Sequence, residues 1–110
     1  MGCEFSIRMT EQAASDLDET LRYISETLCN PTAAKDFFET LDTMLHRIAS
    51  FPESGEKAAN PAVILSGVRK MPVKNYTVYY YPDINNRILI ILRIIYSHRN
   101  MDEIIRDLRV

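Results

Sequence analysis

Residues 68–96 read VRKMPVKNYTVYYYPDINNRILIILRIIY, and their pattern predicts three consecutive strands. Branched and aromatic residues alternate with charged ones in the first half, and a long branched aliphatic run fills the second half. Between them, the sequence PDINN at 82–86 is typical of a turn. The predicted strands span residues 68–71 (ending at Pro72-Val73), 76–81 and 87–96.

The last of these strands is apolar on both sides, which is typical of a central strand covered on both faces. Strict alternation places one set of side chains on one face: Ile88, Ile90, Leu92 and Ile94. It places a second set on the other face: Leu89, Ile91, Arg93 and Ile95. Arg93 is the one cation among them, so it needs an acidic partner, a route to solvent, or a polar ligand.

The first half of the chain predicts one strand and two helices. Alternation over residues 3–9 indicates a strand, and Thr10 follows as a helix N-cap. A helix over 11–28 carries an apolar stripe at helical spacing: Ala13, Leu17, Leu21, Ile24 and Leu28. Asn30 caps a second helix with Pro31 at its first position, and this helix runs to about Ser50. Its stripe comprises Ala34, Phe37, Phe38, Leu41, Leu45 and Ile48. The short connection predicts an antiparallel helical hairpin.

Residues 53–65 show no clear period and predict a loop, whereas Asn100 is positioned to begin a short terminal helix. The order is therefore β-α-α-β-β-β-α, an α+β fold in one domain over residues 1–110. We expect a twisted antiparallel sheet with the helical hairpin packed on one face. The N-terminal strand is expected at an edge or beside the last strand.

Composition excludes several classes of protein. The 46% hydrophobic and 25% charged fractions are typical of a globular domain, and no stretch approaches the roughly 18 apolar residues of a membrane span. The N-terminus lacks a signal-peptide pattern, so we expect a cytoplasmic protein with Cys3 and Cys29 reduced. His46 and His98 have no ligand spacing, and the glycines are isolated. We therefore expect no metal site, phosphate loop or cofactor.

The net charge of −2 conceals a strongly uneven distribution. Residues 1–65 contain five Lys or Arg against eleven Asp or Glu, a balance of −6. Residues 66–99 contain six basic residues against Asp83 alone, a balance of +5. Such a segment can bind a polyanion if its charges share one face, and it is an ordinary solvated surface if they scatter.

Two motifs carry a resemblance to a known family. The run from Val68 to Tyr81 has a basic pair, a turn, Asn75-Tyr76 and further tyrosines, and a later run reads LRIIYSHRN at 92–100. With the order of elements, these motifs make the chain similar to the RelE/ParE superfamily, the toxins of type II toxin–antitoxin systems, along essentially its whole length. The resemblance implies a growth inhibitor of the plasmid-stabilisation type, neutralised by a cognate antitoxin in a possible toxin–antitoxin hetero-oligomer.

The resemblance implies two alternative targets. RelE-like members are mRNA interferases, ribosome-dependent endoribonucleases that need no metal, whereas ParE-like members inhibit DNA gyrase without cleavage. RNA cleavage needs a proton acceptor, a proton donor and cations around one phosphate. The candidate catalytic residues for that chemistry are His98, Arg99, Lys70, Arg93 and Tyr96. The candidate residues for binding nucleic acid or another target are Arg69, Lys74, Tyr76 and Tyr81.

Agreement with the RelE pattern is partial. Lys70 and Arg99 occupy positions of a catalytic lysine and arginine, but Thr77 stands where that pattern has arginine. The terminal helix offers Ile104 and Ile105 near the position of a catalytic tyrosine. These departures favour the ParE-like interpretation and leave it open whether the chain is an enzyme. Outside the family, the alternative is a non-toxic RNA- or protein-binding α+β module.

Each candidate also has a structural interpretation. Tyrosines commonly pack in strands with a wetted hydroxyl, and His98 can serve as a cap at a strand–helix junction. His46 and Asp42 are expected on a solvated helix face. An antitoxin is expected to neutralise positive charge and to bury apolar surface at Leu17 and Leu21 or at Ile104 and Leu108, although core packing explains those residues equally well.

Overall fold

The computed structural model describes residues 4–57 and 67–97. Its elements are β1 (Ser6–Met9), α1 (Glu11–Arg22), α2 (Pro31–Ser50), β2 (Glu56–Lys57), β3 (Arg69–Val73), β4 (Tyr76–Asp83) and β5 (Ile88–Tyr96). The predicted α+β fold is confirmed, and the helices pack against one face of the sheet. The terminal helix predicted from Asn100, with Ile104, Ile105 and Leu108, lies outside the described residues. No helix in the described part is long and apolar enough to span a bilayer.

Thr10 joins β1, α1 and β5. Its hydroxyl accepts a hydrogen bond from the Ala13 amide and donates one to the Leu92 carbonyl oxygen, both at 3.1 Å. Its own amide donates to the Ile91 carbonyl oxygen at 3.0 Å. The predicted N-cap is therefore confirmed, and the same side chain fixes the start of α1 against the central strand.

The predicted helix over 11–28 is α-helical in its first part and then continues as a π-helical turn, Tyr23–Thr27. The chain then reverses at Cys29, whose φ of 51° lies in the left-handed region. Leu17, Leu21 and Ile24 pack against the core as predicted, but Leu28 is 55% exposed because the helix has ended there. Leu17 and Leu21 are thus used for packing within the domain.

Asn30 and Pro31 begin α2 as predicted. The Asn30 side chain accepts a hydrogen bond from the Ala33 amide at 3.1 Å, and Pro31 occupies the first turn. The predicted stripe is buried except for Phe38, which is 47% exposed. Phe38 follows Phe37 directly, so it projects about 100° away from it around the helix and leaves the buried face.

The sheet has the order β1-β5-β4-β3-β2. The strands β2 to β5 are antiparallel, but β1 lies at an edge and pairs with β5 in parallel, so the sheet is mixed rather than purely antiparallel. The predicted position of the N-terminal strand beside the last strand is confirmed. Glu56 and Lys57, within the predicted loop, form a two-residue strand opposite Lys70 and Arg69.

An extra residue in β5 changes the predicted alternation of its faces. Tyr80 pairs with Ile91 and Tyr79 pairs with Arg93, which leaves Leu92 without a direct counterpart. The insertion reverses the phase of the strand, as a β-bulge does. Leu89, Ile91 and Ile94 therefore share the helix-packed core, and Arg93 lies on the opposite, outer face with Tyr79. The strict alternation predicted for 87–96 is wrong beyond Ile91.

A buried glycine fixes the segment that follows α2. The Gly55 amide donates a hydrogen bond to the Tyr80 hydroxyl at 2.8 Å. A Cβ atom at this position would overlap the Tyr80 hydroxyl and lie 2.9 Å from the Lys70 carbonyl oxygen. Burial raises the pKa of the Tyr80 phenol, and the bond from Gly55 opposes part of that rise. Only glycine fits here without displacing β3 or β4.

We expect Gly55→Ala to lower the free energy of unfolding by about 1–3 kcal/mol, because it overpacks a closed site. Urea unfolding followed by circular dichroism measures this change. In Tyr80→Phe the overlapping hydroxyl is gone, so Gly55→Ala should cost less in that background than in the wild type. Equal costs in the two backgrounds would contradict the proposed overlap.

Candidate functional site

The predicted site residues within the described chain occupy three places. Arg69 contacts the segment after α2, Lys70 and Arg93 lie on the outer face of the sheet, and Lys74, Tyr76 and Tyr96 line a groove beside the helices. Tyr81 shares the outer face. His98 and Arg99 lie outside the described residues, so their roles stay predictions.

Arg69 is bound by its own chain. Its Nη1 atom donates to the carbonyl oxygens of Glu53 at 3.0 Å and Gly55 at 2.6 Å. Its Nη2 atom lies 3.9 Å from a carboxylate oxygen of Glu53. These contacts hold residues 53–55 against β3, so the guanidinium has a structural task besides any contact with a target.

Arg93 forms an ion pair with Asp16 of α1. Its Nε and Nη2 atoms lie 2.7 and 3.0 Å from the two carboxylate oxygens, which is bidentate geometry. The same carboxylate accepts a hydrogen bond from the Ile94 amide at 3.0 Å. Only 13% of the Arg93 side chain and 9% of the Asp16 side chain are exposed. The predicted need of Arg93 for a partner is confirmed, and the partner is an aspartate that the sequence did not single out.

Asp16 completes the edge of β5 where β1 has ended. The last pair of β1 with β5 is Met9 with Ile91, and the Thr10 amide and hydroxyl then bind the carbonyl oxygens of Ile91 and Leu92. Asp16 takes the Ile94 amide. The start of α1 thus binds the polar backbone groups of β5 beyond the end of β1, and it fixes the residues of β5 just before Tyr96.

The outer face contains two rows of side chains, each across three strands. Lys70 pairs with Tyr79, and Tyr79 pairs with Arg93. A parallel row joins Arg8, Ile90 and Tyr81, because each is the register partner of the next. Tyr79 is buried, which raises the pKa of its phenol. Arg8 is exposed and was not among the predicted site residues, although its place between Ile7 and Met9 in an alternating strand is the signal for it.

Lys74, Tyr76 and Tyr96 belong to a different surface, which we call the tyrosine groove. It is a depression of about 540 Å³ between the end of α1, the start of α2, the β3–β4 turn and the end of β5. Its lining consists of Tyr23, Ile24, Leu28, Ala33, Asp36, Phe37, Lys74, Asn75, Tyr76 and Tyr96. Tyr76 packs edge-to-face against Phe37 and Tyr96, with ring centroids 5.1 and 5.5 Å apart.

A two-residue turn presents Lys74 at this groove. Lys74 follows the last residue of β3 with a φ of 54°, a left-handed conformation that glycine or asparagine adopts more readily. The Asn75 carbonyl oxygen accepts a hydrogen bond from the Ser97 amide at 2.9 Å, and the hydroxyls of Thr77 and Ser97 lie 2.9 Å apart. The turn and the end of β5 are therefore held together.

The candidate nuclease residues do not converge among the described residues. Lys70 and Arg93 lie on the outer face, and Tyr96 pairs with Tyr76 on the helix side of the sheet. The guanidinium of Arg93 is already matched by Asp16. Residues 4–57 and 67–97 also contain no group of three His, Cys, Asp or Glu side chains placed to hold a metal ion.

Comparison with known proteins agrees with this fold, a helical hairpin on one face of a five-stranded sheet. The chain is similar to the chromosomal ParDE toxin–antitoxin system of P. aeruginosa, with a TM-score of 0.68, 18% identity, and 88% of this chain and 100% of that chain covered. It is also similar to the RelBE2 toxin–antitoxin complex of Mycobacterium tuberculosis, with a TM-score of 0.57, 17% identity, and 84% and 98% covered. For a double mutant of the E. coli toxin RelE in the free state, the TM-score is 0.57 at 13% identity, with 91% and 90% covered.

The family follows from the sequence match. A family model described as the ParE toxin of the type II toxin–antitoxin system parDE matches residues 7–101. The chain therefore belongs to the ParE toxin family, and the resemblance to the RelE/ParE superfamily is confirmed. A comparison with curated protein sequences gave no match.

We expect Asp16→Asn to destabilise the protein by about 3–5 kcal/mol, because it leaves the Arg93 guanidinium buried without a counter-charge. Asp18→Asn is the matched control, since Asp18 lies on the same helix in an exposed ion pair with Arg22. That change should cost less than about 1 kcal/mol. Chemical denaturation of both variants measures the difference, and equal losses would show that the Arg93 pair has no special role.

Proposed function

We propose that this chain arrests bacterial growth by binding and inhibiting DNA gyrase, and that a cognate antitoxin neutralises it. The observation that carries the proposal is the separation of the three candidate nuclease residues that the structure describes: Lys70 and Tyr96 lie on opposite faces of the sheet, and Arg93 is matched by Asp16. Metal-independent RNA cleavage needs its acid, base and cations around one phosphate. An inhibitor that acts by binding needs only a complementary surface.

The match to the ParE family model also supports gyrase inhibition over RNA cleavage as the mechanism. The solved relatives include ParDE and RelBE systems, in which a toxin is paired with an antitoxin. By analogy, an antitoxin partner is proposed for this chain as well. Its contact surface is proposed to include the outer face, where Arg8 and Lys70 supply positive charge beside Tyr81.

We expect inducible expression of this chain in a bacterium to arrest growth and to reduce plasmid supercoiling, while cellular mRNA stays uncut. The purified protein should also inhibit supercoiling of a relaxed plasmid by purified gyrase and ATP, with no ribosome present. Co-expression of the short reading frame next to its gene should restore growth and supercoiling.

Two outcomes would contradict the proposal. Rapid ribosome-dependent mRNA cleavage with intact supercoiling would identify the RelE-like nuclease instead, and His98→Ala, Arg99→Ala and Lys70→Ala would then be tested for loss of cleavage. Normal growth at good soluble expression would favour a non-toxic binding module. Primer extension on abundant mRNAs and chloroquine gels of plasmid DNA distinguish these outcomes.

We expect the double variant Arg8→Ala and Lys70→Ala to bind the antitoxin about tenfold more weakly, because two cations on one face are lost. Its affinity should also depend less on salt concentration than the wild-type affinity does. Lys57→Ala is the control, because Lys57 is an exposed lysine whose register partner is Arg69 rather than an outer-face residue. Calorimetry at two ionic strengths gives both quantities, and an equal effect of Lys57→Ala would place the antitoxin elsewhere.

A further inference from the structure

The tyrosine groove is not used by the proposed contact surface on the outer face. Its volume of about 540 Å³ lies in the range of sites that take a ligand or a large anchoring side chain. Its floor is aromatic and closely packed, since Phe37 is buried and Tyr76 packs on it edge-to-face. A preformed floor lowers the cost of ordering when a partner binds.

Solvent-exposed apolar side chains cluster at the rim of the groove. Among the described residues, six large hydrophobic side chains are exposed, and three of them line this groove: Tyr23 at 50%, Leu28 at 55% and Tyr96 at 42%. Tyrosine is enriched at protein–protein contacts, and clustered exposed apolar side chains mark interaction surfaces. Tyr23 is the first residue of the π-helical turn, and Leu28 follows that turn where the helix has ended.

The charges around the groove differ in sign from those of the outer face. Lys74 is the one cation that lines it, and Asp36 faces the same space. Two smaller depressions continue it along the helices, one lined by Glu19 with Tyr23 and Tyr96, the other by Glu39 with Asp36 and Lys74. The lining residues thus place three carboxylates against one ammonium, apart from Asp16, which is paired with Arg93.

The helix ends contribute little to this balance. The carbonyl oxygens of Tyr23 and Ile24 accept hydrogen bonds from the amides of Leu28 and Asn30. At the start of α2, the Asn30 side chain accepts one from the Ala33 amide. Polar groups at both helix ends thus have partners within the chain. The carboxylates therefore decide which ligands are favoured, and they disfavour a phosphate backbone or an acidic peptide.

We propose that the tyrosine groove binds a segment of a partner protein that inserts one aliphatic side chain and carries a lysine or arginine close to it. The aliphatic group lies between Tyr23, Leu28 and Tyr96. The cation is directed to Asp36, which lines the groove, and to Glu19, which lines the adjoining depression with Tyr23 and Tyr96. Lys74 keeps the cation of the partner away from the β3–β4 turn, because the two positive charges repel each other.

Three probes with one branched apolar chain and different head groups test the proposal: 4-methylpentylammonium, 4-methylpentan-1-ol and 4-methylpentanoate. Chemical shifts of the backbone amides report where each probe binds and how tightly. We expect the ammonium to bind about threefold more tightly than the alcohol and about tenfold more tightly than the carboxylate, as exposed charge contacts give. The shifts should centre on Tyr23, Leu28, Asn75 and Tyr96.

Variants separate the apolar part of the site from its charges. Tyr23→Ala with Leu28→Ala should abolish binding of all three probes, and their exposure leaves the core intact. Asp36→Asn with Glu19→Gln should remove the preference for the ammonium but keep binding of the alcohol. Lys74→Ala should weaken the carboxylate further. Lys57→Ala, at an exposed lysine outside the groove lining, is the control and should leave binding of all three probes unchanged.

A selection from a displayed library of twelve-residue peptides extends the test to protein segments. We expect wild-type protein to enrich peptides with a large aliphatic residue and a Lys or Arg within one helical turn, and the Tyr23→Ala, Leu28→Ala variant to lose this enrichment. Enrichment of acidic peptides, tighter binding of 4-methylpentanoate, or no shift at the groove with any probe at about 10 mM, where fragment-sized ligands still bind, would overturn the proposal.

Discussion

The structure depends on one buried carboxylate. Asp16 accepts two hydrogen bonds from Arg93 and one from the Ile94 amide, all within 3.0 Å. A charged pair in this position is costly to remove from water, and complete hydrogen bonding is what makes it tolerable. Through it, α1 is fixed to the edge of β5 where no strand continues β1. This contact, together with the hydrogen bond from the Ser97 amide to Asn75, positions the last residues of β5 and hence Tyr96.

The bulge at Leu92 keeps the cation out of the helix-packed core. It turns Arg93 from the helix-packed core to the outer face and returns Ile94 to the core. The outer face and the tyrosine groove then differ in chemistry: one carries Arg8, Lys70 and tyrosines, and the other carries tyrosines with carboxylates at its rim. A small domain of a single sheet thus offers two surfaces that favour partners of opposite charge.

Much of the fold was predictable because its signals are local. Thr10 and Asn30 cap the helices where their side chains reach amides three residues away, and Pro31 begins α2 because its ring is preorganised for a first turn. The paired motifs from Val68 to Tyr81 and from Leu92 to Asn100 predicted the superfamily that the family match confirms. The candidate site was harder to predict from the sequence, because Tyr23 and Arg8 look like ordinary surface residues until the neighbouring elements are placed around them.

The sequence by itself determined the two helices, the order of the longer strands and the family, since periodicity, caps and turn residues act over a few positions. Tertiary structure decided the rest. The bulge depends on the register in which β4 pairs with β5, and the Asp16–Arg93 ion pair joins residues 77 positions apart. Exposure of Tyr23 and Leu28 beside Tyr96 depends on the π-helical turn and on the packing of the hairpin against the sheet. Contacts of that kind are set by the whole arrangement of elements, so no local pattern encodes them.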